Sequence, residues 1–198
     1  QKHLQECEFK NNQVISAGNS QYAAVVNAEA AQYLVVEDDF PNGRPALEKV
    51  GVIFTDRETV NKVERMKVGT CLNPLHTTLA VYGCLLGYTL VADEMKDAEL
   101  TRLIERIGYD EGLKVVVDPG VINPKAFITE LLEKRLPNPN VPDTPQRIAA
   151  DTSQKVGVRF GETIKAYGDK AKTLEYIPLA IAGWCRYLLG VDDRGNVF

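Results

Sequence analysis

The sequence predicts a mainly α-helical bundle with a small β appendage near its N-terminus. Three observations predict it. From Thr55 onward apolar residues recur at helical steps, as in Val60, Val63 and Met66. Two Asn-Pro pairs, Asn73-Pro74 and Asn123-Pro124, each join a good N-cap to a residue tolerated in the first turn of a helix. Before Thr55 the pattern is different: short β-branched runs separated by turn residues.

Residues 1–19 are polar with little periodicity and read as a lead-in. Residues 20–55 contain the runs AAVV and YLVV, then FPNGRPALEKVGVIF, with Asn42-Gly43 the clearest turn signal. So few strands are marginal alone and must pack on something else. Residues 56–198 read as the helical domain. Thr55 and Glu58 have capping-box spacing for its first helix. A long apolar helix should run from Asn73-Pro74 to about Tyr88. DAELTRLIERIGYDEG is amphipathic, with Leu100, Leu103, Ile104 and Ile107 on one face. Asn123-Pro124 opens a helix through LLEKRL, and LPNPNVPDTP is a proline-rich connector too short for a domain linker. DTPQRIAADTSQKVGVRFGETIKAY and KTLEYIPLAIAGWCRYLLG give two or three further helices.

A length of 198 residues allows one sizeable core, and a net charge of -4 gives no reason to expect nucleic acid or an anionic membrane surface. Cys7, Cys71, Cys84 and Cys185 are far apart and form no CxxC pair, which fits reduced thiols. The polar start QKHLQECEFKNN does not resemble a signal peptide, and the longest apolar run is broken by Pro178 and Arg186. The cytoplasm is therefore the expected compartment. The chain starts at Gln1 without a methionine and stops in the turn-like DDRGNVF, so a piece of a longer protein is expected.

No metal is expected, because the chain has two histidines and no tight ligand pairs. Cys71 and Cys84 sit in apolar sequence, where thiols are usually inert. Neither GxGxxG nor GxxxxGK[ST] occurs, so no dinucleotide or phosphate cradle is expected within the chain.

Two polar groups remain. In MKVGTCLNPLHTTLAVYGCLLGY, Lys67, Asn73 and His76 precede an apolar helix. A lysine can act as general base, an asparagine amide can stabilise an oxyanion, and a histidine can orient a hydroxyl. Together they could take a proton from an alcohol while a hydride leaves its carbon. The plain alternative is an N-cap, a first-turn histidine and a solvated lysine, and spacing alone favours it. In QRIAADTSQK, Arg147, Asp151 and Lys155 fall at four-residue steps. They form either an exposed charge ladder or a cationic clamp for a polar or carboxylate substrate, with Asp151 holding one cation.

Taken in order, DDFPNGRPALEKVGVIFTD, ERMKVGTCLNPLHTTLAVYGCLLGY and PNPNVPDTPQRIAADTSQK resemble the polyol-specific long-chain dehydrogenases, the mannitol dehydrogenase family. The NPLHT wording is most similar to the branch containing fructuronate reductase or D-mannonate oxidoreductase. The resemblance implies an NAD-dependent enzyme with an N-terminal Rossmann domain and a multi-helix C-terminal domain of the 6-phosphogluconate-dehydrogenase-like type. This chain would be the C-terminal domain, with residues 20–55 extending the sheet of the other domain. The implied reaction interconverts D-mannonate and D-fructuronate; mannitol, arabinitol, altronate and tagaturonate are alternative substrates, and a non-catalytic helical module is the alternative class. The isolated chain would neither bind NADH tightly nor turn over.

The same resemblance implies Lys67 as catalytic base, Asn73 as oxyanion donor and His76 as substrate-orienting residue. It implies Glu64 as a proton relay to solvent, and Arg147 and Lys155 as ligands for substrate hydroxyls or carboxylate. One departure stands out: five residues separate Lys67 from Asn73, where the family has four. One extra residue turns a helical position by about 100°. A bulge or a break before Pro74 must absorb it, or Lys67 is not the base; Lys62 fits worse.

Overall fold

In the computed structural model the described residues are 33–198, together with the backbone of three short strands before them. Two units are present, Gln1–Gln32 and Tyr33–Phe198. In the first, β1 (Glu8–Lys10), β2 (Gln13–Ile15) and β3 (Gln21–Ala23) pair antiparallel, with Phe9 opposite Val14 and Val14 opposite Tyr22. β1 and β2 thus fall inside the stretch read as a polar lead-in. Three-residue strands are too short to display period-two alternation. The AAVV run lies largely outside the described residues.

The second unit opens with β4 (Val35–Glu37) and β5 (Ile53–Thr55), a parallel pair with Val36 opposite Phe54. Their crossover turns at Asn42-Gly43, where Gly43 takes φ 77° and its N–H donates to the Phe40 carbonyl at 2.9 Å. Arg44 then lies 3.4 Å above the centre of the Phe54 ring and bridges Asp38 and Glu48.

α1 (Arg57–Met66) is capped by Asp56, whose carboxylate accepts from the Thr59 N–H at 2.8 Å, and not by Thr55. Thr55 is held in the ladder, its carbonyl accepting from Asp38 N–H. Val63 and Met66 are buried, as the helical period predicts, and Val60 partly so.

A single π turn, Lys67–Cys71, joins α1 to α2 (Asn73–Leu86). α2 is the central helix. Pro74, Leu75, Thr77, Thr78, Leu79, Ala80, Val81, Gly83, Cys84 and Leu85 are all buried. It stops at Gly87, where φ is 79° and the Tyr88 N–H reaches back to the Gly83 carbonyl.

The other helices pack on α2 or on the π turn that precedes it. These are α3 (Val91–Glu94), α4 (Ala98–Glu105), α5 (Pro124–Glu130), α6 (Pro145–Ala149), α7 (Thr152–Arg159), α8 (Gly161–Tyr167) and α9 (Tyr176–Tyr187). α4 starts on an Asp97 cap, buries Leu100 and Ile104, and continues as a wider π segment, Arg106–Gly112. Asn123 caps α5 as its Asn-Pro signal predicts, accepting from Ala126 N–H. Glu111, at the end of the segment continuing α4, accepts the N–H groups of Glu175, Tyr176 and Ile177 at 2.6, 2.9 and 2.7 Å. It thereby satisfies the orphan donors that open α9. Among the described residues no helix is long and apolar enough to cross a membrane.

Candidate active site

The five-residue gap between Lys67 and Asn73 is closed by the π turn. The Leu72 N–H donates to the Lys67 carbonyl at 3.0 Å, a step of five residues where an α-helix uses four. The insertion thus stays within continuous helical hydrogen bonding, and the turn is gripped from both sides. The Thr163 hydroxyl of α8 donates to the Gly69 carbonyl at 3.1 Å, and a Cβ on Gly69 would stand 3.2 Å from Glu162 Cβ. On the other side Thr70 packs so tightly on Gly112 that a Cβ there would come within 2.9 Å. Lys67 emerges half-buried, its Nζ 5.7 Å from the centre of the Tyr33 ring. Burial pushes the Tyr33 hydroxyl up to about 12.

Asn73 is the first residue of α2 and does not cap it. Leu72 precedes the helix in a right-handed conformation, and the His76 N–H bonds to the Leu72 carbonyl. The Asn73 amide makes no hydrogen bond among the described residues and is half-buried. One turn on, the His76 side chain is 15% exposed, with Nε2 3.2 Å from Asp143 Oδ2. The approach is off-line, so the buried Nε2 has an ionic neighbour without a linear hydrogen bond.

Asp143 comes from the proline-rich connector and collects cations. Its Oδ1 receives Arg147 Nη2 at 2.6 Å and its Oδ2 receives Arg135 Nη2 at 3.3 Å. The contact with His76 and the two guanidiniums hold its carboxyl at about 2, against the opposing effect of burial. Arg147 on α6 is 64% exposed, so part of its fork faces outward.

The predicted ladder of Arg147, Asp151 and Lys155 does not share one helical face. α6 ends at Ala149 and α7 begins at Thr152, with Asp151 between them in a non-helical conformation. Asp151 holds Lys155, whereas Arg147 pairs with Asp143. Regular four-residue spacing promises a common face only where the helix is unbroken.

α6 and α7 pack on α2, and α7 also packs on the π turn, so Lys67, Asn73, His76, Arg147 and Lys155 stand on one block of contacting elements. Of these, His76 and Arg147 are linked among the described residues by polar contacts to a shared residue, Asp143. Glu64 is exposed on α1 and lines a cavity of about 500 Å³ with Asn61, Arg65, Val68, Gly157 and Glu162.

Residues 59–198 match the mannitol dehydrogenase C-terminal domain. The chain belongs to the mannitol dehydrogenase family. It is 58% identical to a D-mannonate oxidoreductase of Thermotoga maritima, across 98% of this chain and 37% of that relative. It is 32% identical to a D-mannonate oxidoreductase of Escherichia coli, across 86% of this chain and 34% of that one. Among solved structures it resembles Pseudomonas fluorescens mannitol 2-dehydrogenase in ternary complex with NAD and D-mannitol. The TM-score is 0.70 and the identity 34%, over 83% of this chain and 32% of that one. The chain therefore spans about a third of the length of these relatives.

In this mannitol dehydrogenase C-terminal domain the passage from β5 to α1 does not fit a dinucleotide pyrophosphate. β5 leads into α1 through Asp56, whose carboxylate already occupies the helix N-terminus where a phosphate would sit. Among the described residues no three His, Cys, Asp or Glu side chains converge as metal ligands.

Sequence reasoning missed Asp143 and Arg159. The four-residue step from Asp143 to Arg147 is a readable signal for that pair, but its contact with His76 spans 67 positions and is tertiary. Arg159 donates from α7 to the Thr77 hydroxyl on α2, and burial lowers its pKa. Nothing in its local sequence marks it.

Proposed function

We propose that this domain supplies the catalytic base and the substrate site of an NAD-dependent oxidoreductase that interconverts D-mannonate and D-fructuronate. The observation that carries the reading is the start of α2. Asn73 is not engaged as a helix cap, its amide makes no hydrogen bond among the described residues, and a clamped π turn presents Lys67 one turn before it. A merely structural asparagine at a helix start would have its side chain on the helix N–H groups. The substrate follows from the name of the Thermotoga maritima relative.

In this reading Lys67 Nζ accepts the proton of the substrate's secondary hydroxyl. Asn73 donates its amide N–H to the oxygen as charge develops on it. His76 orients the substrate beside the reacting oxygen. Arg147 and Lys155 bind the distal carboxylate or hydroxyls, Arg147 through the part of its fork not held by Asp143. Glu64, beside an open cavity, passes the proton toward water. NAD, held by another part of the protein, supplies the hydride acceptor. A Rossmann domain is the proposed holder. β4 and β5 are only two parallel strands, and parallel sheets are otherwise found extended and covered on both faces.

The neutral-polyol reading is kept because the chain also resembles a mannitol 2-dehydrogenase. The proposed compartment is the cytoplasm, supported by the free thiols of Cys71 and Cys84, which burial pushes up to about 12 and about 11.

The test is NADH oxidation by the full protein carrying this domain, with D-fructuronate, D-tagaturonate and D-fructose, for wild type and Lys67→Ala. Turnover on fructuronate that collapses in the variant is expected. Preference for fructose would move the assignment to a polyol, and no turnover on any of the three would leave the helical-module reading.

A further inference from the structure

We propose that Asp143 is the positioning residue of this site, its two carboxylate oxygens divided between the two ends of the substrate: Oδ2 aligns His76, and Oδ1 fixes Arg147. The inference rests on the proposed oxidoreductase reading and deepens it.

The geometry is specific. Asp143 belongs to neither α2 nor α6, yet touches a side chain of each, His76 Nε2 at 3.2 Å and Arg147 Nη2 at 2.6 Å. Its backbone is held in place independently of those contacts. Its N–H donates to the Val141 carbonyl at 2.8 Å, and its carbonyl accepts from Val91 N–H at the start of α3 at 3.0 Å. Prolines lie on either side at Pro142 and Pro145 and fix backbone φ there. The side chain is only 12% exposed, and a second guanidinium, that of Arg135, bonds the same Oδ2. Asp143 is thus an anion on a rigid mount whose environment keeps it ionised at any ordinary working pH.

Chemistry follows from the division of its oxygens. An imidazole has two ring nitrogens, and an anion facing one of them selects the tautomer that carries hydrogen there. With Nε2–H directed to Asp143, His76 Nδ1 is left as the acceptor, the form needed to receive the hydrogen of a substrate hydroxyl beside the one that Lys67 deprotonates. The off-line approach is of the kind that tightens when substrate closes the site. At the other oxygen, the arginine fork is anchored at one nitrogen and turns the rest toward the distal group of the substrate. One residue therefore sets the distance between the reacting carbon and the anchored end.

Two readouts test this in the full protein. The first is the tautomer of His76, followed by ring ¹⁵N shifts at mildly alkaline pH, with His76→Gln to assign the signal. The wild type should show hydrogen on Nε2, and Asp143→Asn should lose that preference. Hydrogen on Nδ1 in the wild type, or an unchanged spectrum in a folded Asp143→Asn, overturns the proposal. This readout needs no turnover, and the wild-type arm needs no variant to fold.

The second readout is kinetic, on D-fructuronate. Asp143→Asn should lower kcat by about 100-fold, the scale of a misplaced catalytic group. It should also raise KM by about 10-fold through the loosened Arg147. The KM effects of Asp143→Asn and Arg147→Ala should overlap in the double variant instead of multiplying. Full multiplication would make Asp143 a structural residue only. A wild type inactive on every sugar acid and polyol would sink the oxidoreductase reading, while the tautomer still decides whether Asp143 positions His76.

Discussion

The carbonyl of Lys67 accepts the N–H of Leu72 at 3.0 Å, closing a π turn between the two helices that carry the candidate site. An extra residue in a helix would ordinarily rotate everything beyond it by about 100°. Here one wide turn absorbs it, and tertiary contacts hold that turn in place.

The Thr163 hydroxyl is part of that grip, donating to the Gly69 carbonyl in a buried setting. Thr163→Val keeps the shape and leaves the carbonyl without a partner. A stability loss of about 1–2 kcal/mol is expected, read as a lower thermal midpoint, with a fall in kcat larger than any change in KM. A variant with unchanged melting and unchanged kcat would show that the turn does not depend on this bond.

Asn73→Ala separates catalysis from capping. The Asn73 amide has no hydrogen bond among the described residues, so stability should change by less than about 0.5 kcal/mol. Turnover should nevertheless fall by about 100-fold or more, as when one oxyanion donor is removed. Denaturant melts and initial rates on the same preparations decide it. Loss of about 1 kcal/mol with turnover intact would identify a cap after all.

Glu111→Ala should be among the most damaging single changes in the domain. The buried carboxylate accepts three consecutive backbone N–H groups at the start of α9. Its removal strands those donors and should cost about 3 kcal/mol or more. Glu111→Gln, with one acceptor oxygen left, should restore part of the stability. Equal melting midpoints for Ala and Gln would contradict this assignment.

Glu94 gives a pH dependence of definite sign. Both its carboxylate oxygens are buried without a hydrogen bond among the described residues, the carboxyl packed against Gly83, and burial raises its pKa from 4.5 to about 9. Between those values the folded protein holds a proton that the unfolded chain releases. The stability linked to Glu94 is therefore complete below the unfolded value and declines as pH rises toward the folded one. The loss is on the order of a few kcal/mol by about pH 8. Glu94→Gln cannot ionise, so it should gain on the wild type by several degrees between about pH 5 and about pH 8. A stability difference between the two proteins that stays constant with pH would rule out a titrating Glu94.

Much was legible in the sequence because much of the fold is local. The helical period around Val63 and Met66, the Asn123 cap and the turn at Asn42-Gly43 each depend on residues a few positions apart. The motif order in ERMKVGTCLNPLHTTLAVYGCLLGY and PNPNVPDTPQRIAADTSQK was enough to indicate the mannitol dehydrogenase family and the candidates Lys67, Asn73, His76, Arg147 and Lys155. Local patterns also misled where two signals competed. Thr55 and Glu58 have capping-box spacing, but Asp56 takes the cap because the Thr55 backbone is committed to β5. Asn73 has cap chemistry, but the π turn runs into α2 and leaves no vacant helix end for it.

Family membership, the helical class and the local caps and turns named above were thus legible in the sequence, since they rest on motif order and on short-range backbone and side-chain preferences. The tertiary structure decided which of those residues meet. Nothing near His76 in the chain announces Asp143, and nothing near Tyr176 announces Glu111. Such pairs form because packing around α2 removes water, and a buried charge or helix end must then find its partner wherever the fold places one.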